Sequence, residues 1–259
     1  MIDEPYRWVE AIANRREYIE SELAPGSPTI ALSCQEGILL LTFGKDRKKI
    51  FEIYDQIALG GIGHPGDIER LRMMAIELAS TEGFARSVSD VSLRRMTTYS
   101  FSPALKQAFE QIYGAPYLAR LLFAEVGATP ADDLFVALDY DGSMTASSMS
   151  SGKGRDHFAV ISGTRRSAEQ ITLFLRNEQV GPLSSALAVA VKAWGVGIYT
   201  SDEDHADIPP PDELKNFLKA QLKGYSPEAA VLERKPKTRI AFTELGEDKL
   251  ASVLADYKE

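Results

Sequence analysis

The stretch from Tyr54 to Arg95 constrains the fold more than any other part of this sequence, because it alternates apolar runs with glycine-rich breaks. Ile57 to Ile62 is an apolar run that contains two glycines. It predicts the end of a buried strand to which another part of the backbone comes close. The next four residues, Gly63 to Gly66, include a proline and predict a turn. The segment therefore begins as a strand and then turns sharply.

Two helices are predicted after this turn. The first begins near Asp67, whose carboxylate can cap the helix or lie in its first turn. Its apolar residues recur at helical spacing and form one face: Ile68, Leu71, Ala75 and Leu78. Gly83 is predicted to end this helix. Asp90 is predicted to cap the second helix, which runs from Val91 to about Tyr113.

Composition and charge exclude several classes of protein. The 259 residues are 44% hydrophobic and 25% charged, which suits a soluble chain with a substantial core. A net charge of −8 argues against nucleic acid as the main partner. There is no apolar run that could span a bilayer, and the first residues, MIDEPYRWVEA, do not resemble a signal peptide. The single cysteine, Cys34, fits a reducing cytoplasm, where we expect this protein.

The N-terminal region, Pro5 to Leu23, is predicted to form a charged amphipathic helix. The Pro- and Gly-containing segment from Ala24 to Pro28 ends it. Three residues supply its apolar positions: Trp8, Ile12 and Ile19. The charged residues are assigned to a solvated face: Arg15, Arg16, Glu17, Glu20 and Glu22. The simplest interpretation is a terminal helix that docks on the body of the protein.

The rest of the chain alternates predicted strands with pairs of helices. Thr29 to Leu41 is predicted to be a β-hairpin that turns at Gln35 to Gly37, followed by a polar connection from Thr42 to Arg47. Further strands are predicted at 117–126, 135–140, 157–162, 228–234 and 238–244, and further helices at 167–179, 182–194, 214–222 and 246–257. Ser143 to Arg155 is predicted to be a loop. This order favours stacked layers over a doubly wound parallel sheet.

The segment EIYDQIALGGIGHPGDIERLRMMAIELASTEGFARSVSDVSLRR resembles the corresponding part of bacterial-type proteasome α subunits. LLFAEVG, LDYDGS, HFAVISGT and EAAVLERKPKTRIAFTEL follow in the order and spacing of that family. The resemblance implies an α+β fold, the four-layer αββα sandwich of N-terminal-nucleophile hydrolases with an extra N-terminal helix. It divides the chain into a gate segment with an outer-face helix, 1–26, and an αββα domain, 27–259. The N-terminal motif of archaeal and eukaryotic α chains is missing, and 143–156 and 199–213 depart from the family.

The resemblance also implies three surfaces. Lys49 and Gly63 match a pocket between neighbouring subunits that receives the C-terminal carboxylate of an activator, an interaction natural to an ammonium group. The alternative for Lys49 is that it is one of four basic residues on a solvated hairpin. The helix from Asp67 to Glu82 would lie at the junction between rings and present candidate interface residues: Arg70, Arg72 and Met73. The first six residues would form the axial gate: Met1, Ile2, Asp3, Glu4, Pro5 and Tyr6.

Catalytic members of this fold use a Thr, Ser or Cys at the start of the mature chain, with its own α-amino group as base. Aligning the hairpin glycine, Gly37, with the catalytic β subunits puts Ser27 or Pro28 at the nucleophile position. The position of their catalytic Asp then falls on Thr42 or Phe43, which cannot act as an acid. This register does not assemble a catalytic site.

Taking Thr29 as the first residue gives a second register. It puts Lys45 at the position of the Asp and Gly61 at that of the Lys, and it would require processing after a proline. We therefore predict no catalytic residue. Thr29 is interpreted as a β-branched residue that opens a strand.

No metal or cofactor site is predicted. The three histidines, His64, His157 and His205, are not at metal-ligand spacing, and one cysteine cannot build a thiolate zinc site. Four acids around His205 could hold a hard cation weakly, although a solvated loop is the preferred interpretation: Asp202, Glu203, Asp204 and Asp207. Gly60 to Gly63 lacks the spacing of a nucleotide-binding loop.

Three hypotheses remain open from the sequence. In the first, the chain is a non-catalytic α-type subunit that forms a heptameric ring on a β-ring peptidase. Its partners would be further copies of itself, β subunits, a ring-shaped ATPase or other activator, and unfolded proteins, with no nucleic acid and no membrane. In the second, the chain is an active, self-compartmentalising peptidase of the β type. In the third, it is a ring scaffold without a proteolytic role.

Overall fold

A computed structural model describes residues 4–45, 47–87, 90–111, 113–147, 156–202, 204–238 and 240–257, without the side chains of 4–7 and 247. Within these ranges the strands form two five-stranded antiparallel sheets. The first sheet has the order β10-β9-β2-β1-β8 and contains β1 (Thr29–Ser33), β2 (Gly37–Gly44), β8 (Phe158–Ile161), β9 (Ser226–Glu233) and β10 (Phe242–Glu244). The second has the order β3-β4-β5-β6-β7 and contains β3 (Ile50–Tyr54), β4 (Ile57–Gly63), β5 (Ala119–Glu125), β6 (Leu134–Leu138) and β7 (Met144–Ser147).

Helices cover the outer faces of both sheets. The described α-helices are α1 (Glu4–Leu23), α2 (Pro65–Ala85), α3 (Leu93–Met96), α4 (Ser102–Glu110), α5 (Arg165–Arg176), α6 (Leu183–Tyr199), α7 (Pro211–Gln221) and α8 (Glu247–Leu254). A π-helical segment, Thr97–Phe101, joins α3 to α4. None of the described helices is both long and apolar enough to cross a membrane.

The elements pack in four layers, as predicted. Apolar side chains of α5 to α8 form one core with the first sheet, and those of α2 to α4 form a second core with the other sheet. A third core lies between the two sheets. The α1 helix stands outside the layers and packs Ile19 and Leu23 against Phe109 and Tyr140.

The β2 strand shows why the polar connection predicted from Thr42 to Arg47 was wrong. Every residue from Gly37 to Gly44 is buried, because one face of β2 packs on helices and the other on the second sheet. A strand covered on both faces does not need alternating polar residues. The Thr42 hydroxyl donates to the Pro28 carbonyl oxygen at 2.8 Å, so this polar side chain is satisfied inside the core.

The central stretch folds as strand, turn and helix, with different boundaries. His64, rather than Asp67, is the N-cap of α2, and its Nδ1 accepts a hydrogen bond from the Gly66 amide at 3.2 Å. Asp67 lies in the first turn of α2, which was the second of the two positions predicted for it. The prediction that Gly83 ends the helix was wrong. A Cβ atom at Gly83 would collide with the Tyr54 hydroxyl. Glycine at this position within α2 therefore allows the Tyr54 side chain to pack directly against the helix.

The second predicted helix is shorter than expected and is not capped by Asp90. It begins at Leu93, whose amide donates to the Glu125 carboxylate at 3.0 Å. A half-buried acid on strand β5 therefore supplies the cap that a local acid was expected to supply. The helical region ends at Glu110.

Two later segments also differ from expectation. Met144–Ser147, predicted as part of a loop, forms strand β7 on the edge of the second sheet, paired with β6. Residues 148–155 of that loop lie outside the described residues. The α6 helix continues five residues past Trp194 to Tyr199. Its glycines, Gly195 and Gly197, lie against Leu218 and Ile171, where a Cβ atom would be too close.

Candidate functional site

Lys49 lies immediately before β3 and differs from the other basic residues around it. Its carbonyl oxygen accepts a hydrogen bond from the Gly61 amide at 3.0 Å, so the pairing of β3 with β4 reaches Lys49. The Lys49 side chain is half-buried, and its Nζ lies 3.4 Å from the Phe43 carbonyl oxygen. Lys45 and Lys48 are exposed. The Lys49 ammonium is therefore held between the sheets and is not part of a solvated basic hairpin.

Glu228, on β9 of the other sheet, holds the backbone at this point. Its carboxylate accepts hydrogen bonds from the Lys49 amide at 2.8 and 3.1 Å and from the Ile50 amide at 2.8 Å. Burial raises the pKa of Glu228, and these amide donors oppose that shift. Burial likewise lowers the pKa of Lys49, and the negative charge of Glu228 opposes it. The charge of each group thus opposes the effect of burial on the pKa of the other, across the gap between the two sheets.

Gly63 ends β4 at the same end of the second sheet. Its φ is +125°, and a Cβ atom would collide with the Leu118 carbonyl oxygen, so the position requires glycine. Amides two residues apart on a strand point to the same side. The Gly63 amide therefore faces the side on which the Gly61 amide meets Lys49. Lys49, just before the start of β3, and Gly63, at the end of β4, therefore lie at the same end of the second sheet. These are the two residues that were predicted to belong to one pocket.

The three candidate interface residues on α2 have different environments. Arg72 is tied to Glu69 by two hydrogen bonds of 2.8 and 2.7 Å, and its guanidinium lies 5.5 Å from the centre of the Phe51 ring. Arg70 is exposed and lies over the Tyr117 ring. Met73 is 51% exposed, and its apolar surface is uncovered in the isolated chain.

Phe84 was missed as a candidate for the same surface. It lies on α2 eleven residues, close to three full turns, after Met73 and so projects from the same face of the helix. It is 95% exposed. A large aromatic side chain on an outer helical face is the sequence signal that could have identified it.

The predicted gate segment is described only in part. Met1, Ile2 and Asp3 lie outside the described residues. Glu4, Pro5 and Tyr6 belong to the first turns of α1, and their side chains are not described. The predicted helix itself is present, one residue longer at its start than expected.

The assignment of all charged α1 residues to a solvated face was wrong for two of them. Arg15 donates to the carbonyl oxygens of Phe109 and Gln111 at 2.7 and 2.5 Å. Glu20 accepts from Arg120 at 2.7 Å and from the Tyr140 hydroxyl at 2.8 Å. Both side chains therefore attach α1 to the body of the protein.

Arg120 is the centre of this attachment and is only 5% exposed. Besides Glu20, it binds Asp139 at 3.1 Å and the carbonyl oxygens of Ser162 and Gly163 at 3.0 and 2.6 Å. A buried guanidinium needs such complete pairing. The network joins α1 to β5, to the end of β6 and to the segment after β8.

The start of β1, where a catalytic nucleophile would lie, is closed. Thr29 is 0% exposed, and a Cβ atom at Gly60 would lie 2.6 Å from its methyl group. Ser27, the other candidate position, accepts a hydrogen bond from the Trp194 indole at 2.8 Å. Thr42 and Phe43 are buried, and Lys45 lies over the Tyr225 ring. Neither register brings an acid and a lysine to the strand start.

Replacing Thr29 with valine is expected to leave the protein folded and to stabilise it by about 1 kcal/mol. The Thr29 hydroxyl is buried without a hydrogen-bond partner, and valine has the same shape without that polar atom. Urea unfolding of both proteins measures the difference. Thr42→Val is the matched control, because the Thr42 hydroxyl is bonded, and its loss should destabilise. A clear loss of stability in Thr29→Val would contradict the assignment.

The histidines, the cysteine and the acids that were considered as metal ligands were also compared with the structure. Within the described ranges, no three side chains of His, Cys, Asp or Glu are grouped closely enough to hold a metal ion. His205 lies beside Tyr199 and 3.8 Å from Asp202. Cys34 is buried, and burial raises the pKa of its thiol.

Two important residues were missed, although the sequence carried a signal for each. Arg120 interrupts the apolar run YLARLLFAEV, and Glu228 directly precedes the apolar run AAVL. A charged residue at a position predicted to be buried needs a partner. The sequence does not identify that partner, because it lies 100 residues away for Arg120 and 179 for Glu228.

Two antiparallel sheets between two helix layers define the αββα class to which the N-terminal-nucleophile hydrolases belong. The proteasome subunit alpha of Frankia casuarinae is 32% identical to this chain over 200 residues, which cover 73% of this chain and 75% of that protein. The chain therefore belongs to the proteasome α-subunit family.

Other relatives extend the similarity. The proteasome subunit alpha of Actinosynnema mirum is 28% identical over 250 residues, covering 95% of this chain and 85% of that protein. That of Acidothermus cellulolyticus is 31% identical over 186 residues, covering 70% and 74%. No family model matches the chain.

Proposed function

We propose that this chain is a non-catalytic α-type subunit of a cytoplasmic proteasome core particle. Seven copies would form a ring on a β-type threonine-protease ring and restrict admission to unfolded polypeptides. Membership of the α-subunit family supports this proposal. The observation that carries it is the complete burial of Thr29 at the start of the first strand.

The chemistry of the fold explains why this observation matters. Hydrolysis in this class needs a hydroxyl or thiol on the first residue and a free α-amino group beside it as base. The hydroxyl of Thr29 is instead out of reach of solvent. Exposing it would also require removal of α1, which is held by Glu20 and by the apolar contacts of Ile19 and Leu23.

An activator would dock through Lys49. None of the ion pairs within the described part of the chain involves this half-buried ammonium group. Its hydrogen bond to the Phe43 carbonyl oxygen is long, at 3.4 Å. A C-terminal carboxylate would give it a stronger, charge-assisted partner, and the Gly63 amide would donate to the same group.

The remaining surfaces would serve assembly and gating. On α2, Arg70 and Met73 would contact the neighbouring ring together with Phe84, which extends the same helical face. Arg72 would support this face through its pair with Glu69. The segment from Met1 to Tyr6, which precedes and begins α1, would form the gate.

Co-expression with a β-type subunit from the same genome tests the proposal. Native mass spectrometry is expected to show a ring of about seven copies, joined to β subunits, with α chains that start at Met1 or Ile2. Peptidase activity is expected only with the β subunit present, and Thr29→Val in the α chain should leave it unchanged. A chain trimmed to Ser27 or Thr29 that cuts peptides by itself would overturn the proposal. Rings that never bind β subunits would favour a scaffold, and a plain monomer would count against any ring.

A further inference from the structure

We infer that Glu228 is the positioning residue of the Lys49 site: its carboxylate fixes the backbone from which the Lys49 side chain reaches the anion. This inference rests on the docking role proposed for Lys49. Glu228 does not contact the anion in this arrangement. It acts through the main chain, from the opposite sheet.

The backbone of Lys49 is held on both sides. On one side its carbonyl oxygen accepts from the Gly61 amide at 3.0 Å. On the other its amide donates to both oxygens of Glu228, one of which, Oε1, also accepts from the Ile50 amide. Because Gly63 follows Gly61 by two residues on the same strand, these contacts fix the Lys49 backbone relative to the Gly63 amide. Only the side chain remains to be oriented when an anion binds.

The chemistry of this clamp needs a carboxylate. Two oxygens receive three amide contacts, and a glutamine in the same place could accept through only one of its two terminal atoms. Within the described part of the chain, Glu228 forms no ion pair with the Lys49 ammonium. Its charge nevertheless favours the protonated form of Lys49, which burial disfavours. The clamp thus leaves a charged and oriented ammonium available to a ligand.

Nearby charged groups have other partners. Lys48 forms an ion pair with Glu244 on β10. Both of these side chains are exposed. Glu244 therefore offers a matched control: Glu244→Gln removes one negative charge from the same neighbourhood without touching the backbone of Lys49.

The test measures how the assembled ring distinguishes a free C-terminal carboxylate from an amide. The probe is a short peptide of alanine and leucine with a fluorescent dye on its N-terminus, compared with its C-terminally amidated form by fluorescence anisotropy. Lys49→Ala is expected to abolish the preference for the free carboxylate. Glu228→Gln is expected to reduce the preference about tenfold, the effect of losing one hydrogen bond to a charged group. Glu244→Gln should retain it.

A general loss of stability would weaken both peptides equally and leave their ratio unchanged, so the ratio reports positioning. Glu228→Asp keeps the charge but is one methylene too short, and it should reduce the preference as Glu228→Gln does. If either Glu228 variant keeps the preference while Lys49→Ala loses it, the inference fails and the docking role stands. If Lys49→Ala keeps the preference, the docking role fails and the inference fails with it.

Discussion

Replacing Asp133 with alanine is expected to destabilise the fold by about 3–5 kcal/mol, the usual cost of breaking a buried ion pair. The side chain of Asp133 is 1% exposed and binds the two terminal guanidinium nitrogens of Arg234, at 2.7 and 2.9 Å. It also accepts from the Ser33 hydroxyl at 2.5 Å and the Gly127 amide at 2.9 Å. Without it, a buried guanidinium would keep only two carbonyl partners, Gly127 and Cys34. Urea unfolding at fixed protein concentration measures the loss.

The chain supplies a matched control at its surface. Asp156 binds Arg176 through the same pair of oxygens, at 3.2 and 2.8 Å, but the Arg176 side chain is exposed. Asp156→Ala is expected to cost less than about 1 kcal/mol, because water replaces the lost contact. If Asp133→Ala costs no more than this control, burial is not what makes the Asp133 pair important.

Replacing Glu20 with alanine is expected to cost about 2 kcal/mol and to loosen α1 from the body, because two hydrogen bonds with charge are lost. Arg120 would keep Asp139 and two carbonyl oxygens but lose one of its two carboxylates. Hydrogen exchange along α1 separates loosening of this helix from global unfolding. Glu17→Ala is the control, since Glu17 is exposed on the same helix.

The same contact predicts a pH dependence. Burial alone would raise the pKa of Glu20, but the hydrogen bonds from Arg120 and Tyr140 outweigh it and lower the pKa below its ordinary value of 4.5. A lowered folded-state pKa stabilises the folded form above the ordinary value, and this contribution is lost as the pH falls below it. The protection of the α1 amides, taken relative to the intrinsic exchange rate at each pH, is therefore expected to fall below about pH 4.5. In Glu20→Ala that fall should be absent, and an equal fall in both proteins would contradict the assignment.

Arg120 and Arg234 stabilise opposite ends of strand β1. Arg120 binds Ser162 and Gly163, beside the end of β8 that pairs with the start of β1. Arg234 binds Asp133, which in turn accepts from Ser33 at the end of β1. The polar contacts therefore fix both ends of the first strand, and α1 covers the end at which related enzymes carry their nucleophile.

The sequence by itself determined the order of the elements and their layering. Apolar runs and helical periodicity are local properties, and they identified the hairpin at Gln35 to Gly37, strand β4, helix α2 and the closing helix. The catalytic analysis combined the resemblance to the catalytic β subunits with spacing along the chain, because the position of their Asp falls on Thr42 or Phe43 in one register and on Lys45 in the other. The predicted ends of elements were wrong in two kinds of place. In β2, burial on both faces extends the strand through polar residues, and at Gly83 close packing keeps a glycine inside a helix.

The tertiary structure alone decided which polar residues meet. Arg15 and Glu20 had the spacing of a solvated face, yet Glu20 meets the buried Arg120. Four basic residues lie between Lys45 and Lys49, and only the approach of β9 sets Lys49 apart from the others. Periodicity reports which side of an element is buried but not what is packed against it. A carboxylate 179 residues away along the chain therefore leaves no trace in the local pattern around Lys49.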